Sequence, residues 1–305
     1  MNTIDILGDE ETFKNIVERT ITEIEDNEVE SIGGTAFLGC NSLTSASFLV
    51  VTSIGDVAFH SCSNLTSVSS PAATSIGVQA FYGCTALTSV DLPAVTSIGE
   101  QAFQNCSSLT SIPFPVVTSI GDNAFNSCSN LTSVSFPVAP SIGSSAFCNC
   151  TGLTEVTDAS FPKVTSIGDY AFRSCSKLTE VSFPVATSIG SDAFENCSSL
   201  TSVSIPKATS IGQYAFNGCS SLTSVSFPVA TSIGNYAFQD CSKLTTIYVG
   251  TNTSTVCKLF DTRAFNKCTN LANIYVPESL VDSYKSATNW SSYADKIKAY
   301  EQPVG

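Results

Sequence analysis

An Ile-Gly pair recurs along the chain at Ile32, Ile54, Ile76, Ile98, Ile120, Ile142, Ile167, Ile189, Ile211 and Ile233. The steps are about 22 residues, within the range of solenoid repeats, with one longer step from Ile142 to Ile167. Five residues after each Ile stands a Phe, from Phe37 to Phe238, then a Cys three further on and a Leu three beyond that. Steps of three suit a short helical turn that presses one face inward. After the Leu comes Val or Ile in nearly every coil, then usually a second large apolar residue and Pro, as in Val134, Phe136 and Pro137. A step of two is the alternation of a strand, and Pro, which lacks a backbone donor, fits its end. Gly121 and its equivalents suit tight corners, and Asp122 behind it can cap the turn that follows. Each repeat therefore reads as one short helical turn plus one short parallel β-strand.

A unit of this length cannot bury its own apolar face, but stacking it on copies of itself at ~4.8 Å aligns Phe on Phe and Leu on Leu. The expected fold is a repeat solenoid of about eleven coils, including a degenerate last coil around Phe265. Residues 1–30 read as an acidic N-terminal cap, with Phe13, Ile16 and Val17 at helical spacing. Ile21 and Ile24 already hold the Leu and Val positions of a half repeat. Residues 31–276 form the solenoid, and residues 277–305 read as a helical C-terminal cap and tail, with Leu280, Val281 and Tyr284 on one face.

The unit Leu131-Thr-Ser-Val134-Ser-Phe136-Pro137, followed by Ser141-Ile142-Gly143, Ala146-Phe147 and Cys150, resembles the BspA-like class of leucine-rich repeats found in bacterial surface antigens. The resemblance spans roughly residues 21–276, and the closing segment is similar to that of such proteins from gut bacteria. It implies a solenoid of leucine-rich-repeat type. It also implies an adhesion or recognition role at the cell surface or after secretion, without enzymatic activity in the repeats.

Composition narrows the partners. Thirteen Lys and Arg against 26 Asp and Glu leave a formal charge of −13, so the basic footprint of a nucleic-acid binder is missing. The longest apolar run is about four residues, Phe48 to Val51, far short of the ~20 that span a bilayer. Met1 to Glu11 lacks the basic start and apolar stretch of a secretory signal, so the chain is cytosolic, leaves by another route, or has had a signal trimmed. A monomer is expected.

Eleven of the 13 cysteines occupy one repeat position, as a small buried hydrophobe does, and equivalent side chains in stacked coils run parallel without facing each other. Cys148 and Cys257 lie off that ladder and are expected to be the reactive thiols. His60 is the single histidine, at a position that varies from coil to coil and so reads as solvent-facing, which leaves no catalytic triad and no zinc site to assemble. No glycine-rich phosphate loop is present, and no cofactor is expected.

In a solenoid the information lies in what varies between coils. Three residues after the Ile, the variable position carries Tyr170, Tyr214 and Tyr236, with Asp192 between them and Arg173 nearby. Tyr and Arg are enriched at interface centres, so these four are the candidate binding residues for a protein or glycan ligand. Two insertions, at Asp158 to Ser160 and within Gly250 to Lys258, also vary. The strand face is almost uniform Ser and Thr. That uniformity leaves two alternatives open, a structural spacer or fibre component of an envelope or phage-like assembly, and a hydroxyl array that binds ice or polysaccharide.

Overall fold

The structure, a computed structural model, describes residues 3–4 and 21–300. The proposed cap residues Phe13, Ile16 and Val17 and the tail after Tyr300 lie outside the described residues. The chain divides into two compact units, one running to Leu153 with Ala159–Phe161, the other comprising Thr154–Asp158 and the chain from Pro162 onward.

In the first unit each coil supplies two short strands where one was expected. One row consists of Glu23–Asp26, Ser45–Phe48, Ser67–Ser69, Ser89–Asp91, Ser111–Pro113 and Ser133–Ser135. The other consists of the Ser-Ile pairs that precede each corner glycine, from Ser31–Ile32 to Ser141–Ile142, with Thr3–Ile4 paired onto the first of them. Pairing is parallel and in register, Val68 on Val90 in one row and Ile54 on Ile76 in the other. Ile24 pairs with Ala46, so the stack does begin before the first Ile-Gly coil. Inward Val and Ile alternate with outward Ser, as period two requires.

The expected helical turn is replaced by a run of tight turns. Ala36, Leu38, Cys40 and Leu43 donate their amide protons three residues back, to Gly33, Thr35, Phe37 and Cys40. The amides between them, those of Thr35, Phe37 and Gly39, donate instead to Asp56, Ala58 and His60 of the next coil. Thr35 and Gly39 have φ of 62° and 71°, and this left-handed backbone recurs at both positions in the following coils. The reversal in handedness turns these alternate amides along the stack, where each of the three finds a carbonyl. A three-residue step is common to a helix and to such turns, which is why the pattern reads as helix.

The core follows the columns. Phe37, Phe59, Phe81, Phe103, Phe125 and Phe147 stack in parallel, with Phe59 and Phe81 centred 5.2 Å apart and 4° from coplanar. The strand-end rings Phe114, Phe136 and Phe161 pack obliquely against them.

The second unit repeats this plan. Its rows are Glu155–Val156, Glu180–Ser182, Ser202–Ser204, Ser224–Phe227, Thr246–Val249, Asn273–Pro277 and Ile297–Tyr300, and the Ser-Ile pairs from Ser166–Ile167 to Ser232–Ile233 with Lys258–Leu259. Together the two units make about 13 turns, two beyond the eleven repeated Phe positions from Phe37 to Phe265. The closing segment is only partly helical, with one α-helix at Val281–Ser286, and its last strand pairs with Asn273–Pro277. Trp290 and Tyr284 are fully buried there, and Phe265, the last ring of the column, meets Trp290 and Tyr293 where a further Phe would otherwise stand.

Candidate binding surface

All four candidate residues lie in the second unit. Tyr170, Tyr214 and Tyr236 occupy the first left-handed turn position, with φ of 58°, 54° and 56°, and Asp192 holds the same position between them at 56°. Their amides run along the stack, Tyr170 to the Ser191 carbonyl, Asp192 to Gln213 and Tyr214 to Asn235. Because Thr35 and Val57 share this backbone, the strain belongs to the fold; what is particular here is the side chain it displays. Tyr214 and Tyr236 come together, rings 4.8 Å apart and 1° from parallel. Tyr170 is separated from them by the coil of Asp192 and is the most exposed of the three, at 38%.

Arg173 is already engaged. Its guanidinium lies 5.5 Å from the Tyr170 ring centre, and its Nε is 2.6 Å from Glu195 Oε2. Half-burial beside Glu195 raises the Asp192 carboxyl to about 6, with the charge of Arg173 opposing the rise. Arg263 extends the column where the sequence reading stopped. Its guanidinium stands 4.5 Å from the Tyr236 ring centre while it pairs with Asp261, whose carboxyl is lowered to about 2 chiefly by that bond. The extra residue between Leu259 and Phe265 hid this position from the repeat count.

A second aromatic group, on the strand row, was also missed. Tyr248 stacks on Tyr275 at 5.0 Å and meets Tyr300 edge-on, at strand positions where earlier coils place Ser226 and Ser204. His60 is half-buried, stacked on Tyr82 at 4.7 Å and hydrogen-bonded to Ser61, so its ring is only partly open to solvent. Among the described residues no group of three or more His, Cys, Asp or Glu side chains is placed to hold a metal ion.

Comparison with known families settles the class. A model described as a BspA type leucine-rich repeat region, six copies long, matches overlapping segments that together run from residue 8 to residue 298. The chain belongs to the BspA-type leucine-rich repeat family. Among solved structures it is similar to a leucine-rich repeat protein of Bacteroides ovatus, 25% identical over 92% of both chains with a TM-score of 0.45. It is similar also to a leucine-rich cell surface protein of Faecalibacterium prausnitzii, 25% identical over 90% of this chain and 89% of that one, TM-score 0.44. The pneumococcal vaccine antigen PcpA is 16% identical over 92% and 83%, TM-score 0.47. A search of the curated proteins finds no match.

In this BspA-type solenoid the cysteine column has a bonding reason beyond its size. Cys62 donates its thiol proton to the Phe37 carbonyl at 2.9 Å, Cys84 to Phe59 and Cys106 to Phe81, and the second unit repeats this from Cys219 to Phe194. Burial pushes the Cys84 thiol up to about 12. The off-ladder pair does not behave as expected: Cys148 is 8% exposed and Cys257 is fully buried. Cys257 lies under the closing segment, its amide donating to Tyr284 Oη and its carbonyl accepting from Trp290 Nε1, and burial raises its thiol to about 12. Only Cys268, the last of the ladder, is partly exposed. Native alkylation followed by peptide mapping should therefore label Cys268 first, since its thiol alone among the thirteen is partly open to reagent. Earlier labelling of Cys148 or Cys257 would mean that their covers open.

The threonines form internal ladders as well. Thr66 donates both its amide and its hydroxyl proton to the Thr44 carbonyl, each at 2.8 Å, and Thr96 does the same to Thr74 on the other side of the coil. The second unit repeats this at Thr201 and Thr209. Their protons point along the stack, so an outward hydroxyl array is left mainly to serines such as Ser135 and Ser204.

Proposed function

We propose that this chain is a non-enzymatic recognition scaffold, adhesin-like in action, which binds a protein or glycan ligand outside a bacterial cell as a monomer. The observation that carries this reading is the parallel Tyr214–Tyr236 pair with Arg263 on its end, a half-exposed aromatic column on a regular stack. Rigid aromatic area loses little conformational freedom on binding, and Tyr and Arg dominate the energetic centres of protein interfaces. Membership of a family of repeat scaffolds supports it, as does the adhesion role that the family resemblance implies. Tyr170 and Arg173 contribute a second, smaller contact in which Arg173 acts through Tyr170 and Glu195.

The test is a screen of the immobilised protein against host matrix proteins and glycans, followed by variants. Tyr236→Ala should weaken the bound ligand by ~1–2 kcal/mol while the fold is kept. Substitutions at Ser135, Ser182 and Ser204 should leave it unchanged; if they abolish binding while the tyrosine variants bind normally, the strand row is the site. The regularity of the coils from Ile32 to Ile142 favours one alternative, a structural spacer or fibre component, and a screen that finds no ligand would support it.

A further inference from the structure

The corner glycines of the second unit leave a trough without side chains. A Cβ on Gly212 would lie 2.4 Å from the Gly190 carbonyl oxygen, and one on Gly234 would lie 2.6 Å from the Gln213 amide nitrogen, so neither position admits a side chain. In the next coil the pattern breaks. Leu259 pairs with Ile233, and the Phe260 amide donates to the Ile233 carbonyl as Gly234 donates to Ile211, so Phe260 takes the glycine position. One extra residue before Phe265 accommodates it, and the ring stands 52% exposed. Lys258 Nζ lies 4.2 Å from the ring centre.

The result is a groove of about 320 Å³, with glycine backbone as its floor and Phe260 in its lining. Ser210 and Ser232 line it with hydroxyls, Gln213 and Asn235 with carboxamides. None of these four side chains makes a hydrogen bond to another described residue, and no lining residue is charged. The volume lies in the ~300–1,000 Å³ range of small-ligand sites.

The chemistry of the lining selects the ligand. The strands Ser210–Ile211 and Ser232–Ile233 are each paired on both sides, so no open edge remains for an added peptide strand. The lining side chains are uncharged, and the one cation beside them, Lys258, lies against the Phe260 ring and outside the lining. Free hydroxyls and carboxamides offer both donors and acceptors, and they surround a ring face and a flat backbone floor. A pyranose has the complementary parts, with C–H groups on one face and hydroxyls around its edge. The span from Phe260 to Gly212 is two coils, ~10 Å, room for a disaccharide.

We propose that this groove binds a neutral oligosaccharide, one sugar ring on Phe260 and the next across Gly234 and Gly212, with Ser232, Asn235 and Gln213 bonding the hydroxyls. The site stands independently of the tyrosine column.

The experiment titrates the intact protein with maltohexaose, cellohexaose and mannohexaose, and with hexagalacturonate as an acidic control, by calorimetry and saturation-transfer NMR. At least one neutral hexasaccharide should bind. Phe260→Ala should weaken it ~10-fold, Phe260→Trp should retain it, and Asn235→Ala should weaken it also. Tyr236→Ala should change it less than about twofold, which separates this site from the tyrosine surface. Thermal melts of each variant confirm the fold. Failure of all three neutral sugars to bind, binding of hexagalacturonate alone, or unchanged affinity in Phe260→Ala would each overturn the proposal.

Discussion

Truncating Phe125 to Ala should destabilise the protein by ~3–5 kcal/mol. The ring is fully buried between Phe103 and Phe147, centred 5.3 Å and 5.4 Å from them, with Phe114 and Phe136 packed obliquely beside it. The cost of such a cavity depends on whether its walls can move in, and here they are held. Phe103 donates its amide to Ala124 and Phe125 donates to Ala146, both in ladders that fix the spacing between coils. Neighbouring rings therefore cannot approach without breaking backbone bonds. The change should appear in urea unfolding as an earlier midpoint, and as a second transition if the stack separates at that coil, since nearest-neighbour coupling carries cooperativity in a solenoid. Phe260→Ala is the internal control: with the ring half-exposed, its loss should sit within ~0.5 kcal/mol. A loss near zero for Phe125 would mean that the column is looser than its geometry.

The buried columns were legible in the sequence because each is one residue type under one constraint, repeated. Phe59, Cys62, Leu65 and Ile76 sit inside for the reason their periodicity gives. The conformation between them was not legible. A β-branched Val57 or a Tyr214 gives no sign of a left-handed backbone, and the amide that compensates for it is satisfied by a carbonyl one coil away in space and some twenty residues away in sequence. The same limit misled the reading of the off-ladder thiols. Absence from a repeat position says nothing about cover, and Cys257 is covered by Tyr284 and Trp290 from a segment outside the repeat. For the candidate surface, the sequence identified the tyrosines but not what they touch. Arg263 and Phe260 stand in a coil lengthened by one residue, where counting offsets from the Ile loses register just as the chemistry becomes distinctive.

The second large effect concerns a glycine whose backbone is unremarkable. Gly99 is not in the left-handed region, so by conformation alone Ala should be acceptable there; Gly83, with φ of 71°, is the one that conformation alone would single out. Packing reverses the order. A Cβ on Gly99 would stand 2.6 Å from the Gly77 carbonyl carbon and 2.7 Å from both the Gly77 oxygen and the Val78 nitrogen, all rigid backbone of the preceding coil. Relief requires the two coils to part at that corner, which strains the Gly99 amide bond to Ile76 and the Phe81 amide bond to Ala102. The cost should reach the upper end of the ~1–3 kcal/mol typical of overpacking or exceed it, because no side chain can move aside. At Gly83 the nearest atom to an added Cβ is Ser61 Oγ at 3.7 Å, and equivalent coils already carry Asn105 and Asn149 at φ of 64° and 59°. Gly83→Asn should therefore stay within ~0.5 kcal/mol of the parent. Unfolding midpoints of the two variants decide the matter: a Gly99→Ala protein as stable as Gly83→Asn would show that neighbouring coils separate freely at the corner, and the trough beneath Phe260 would then have no fixed floor.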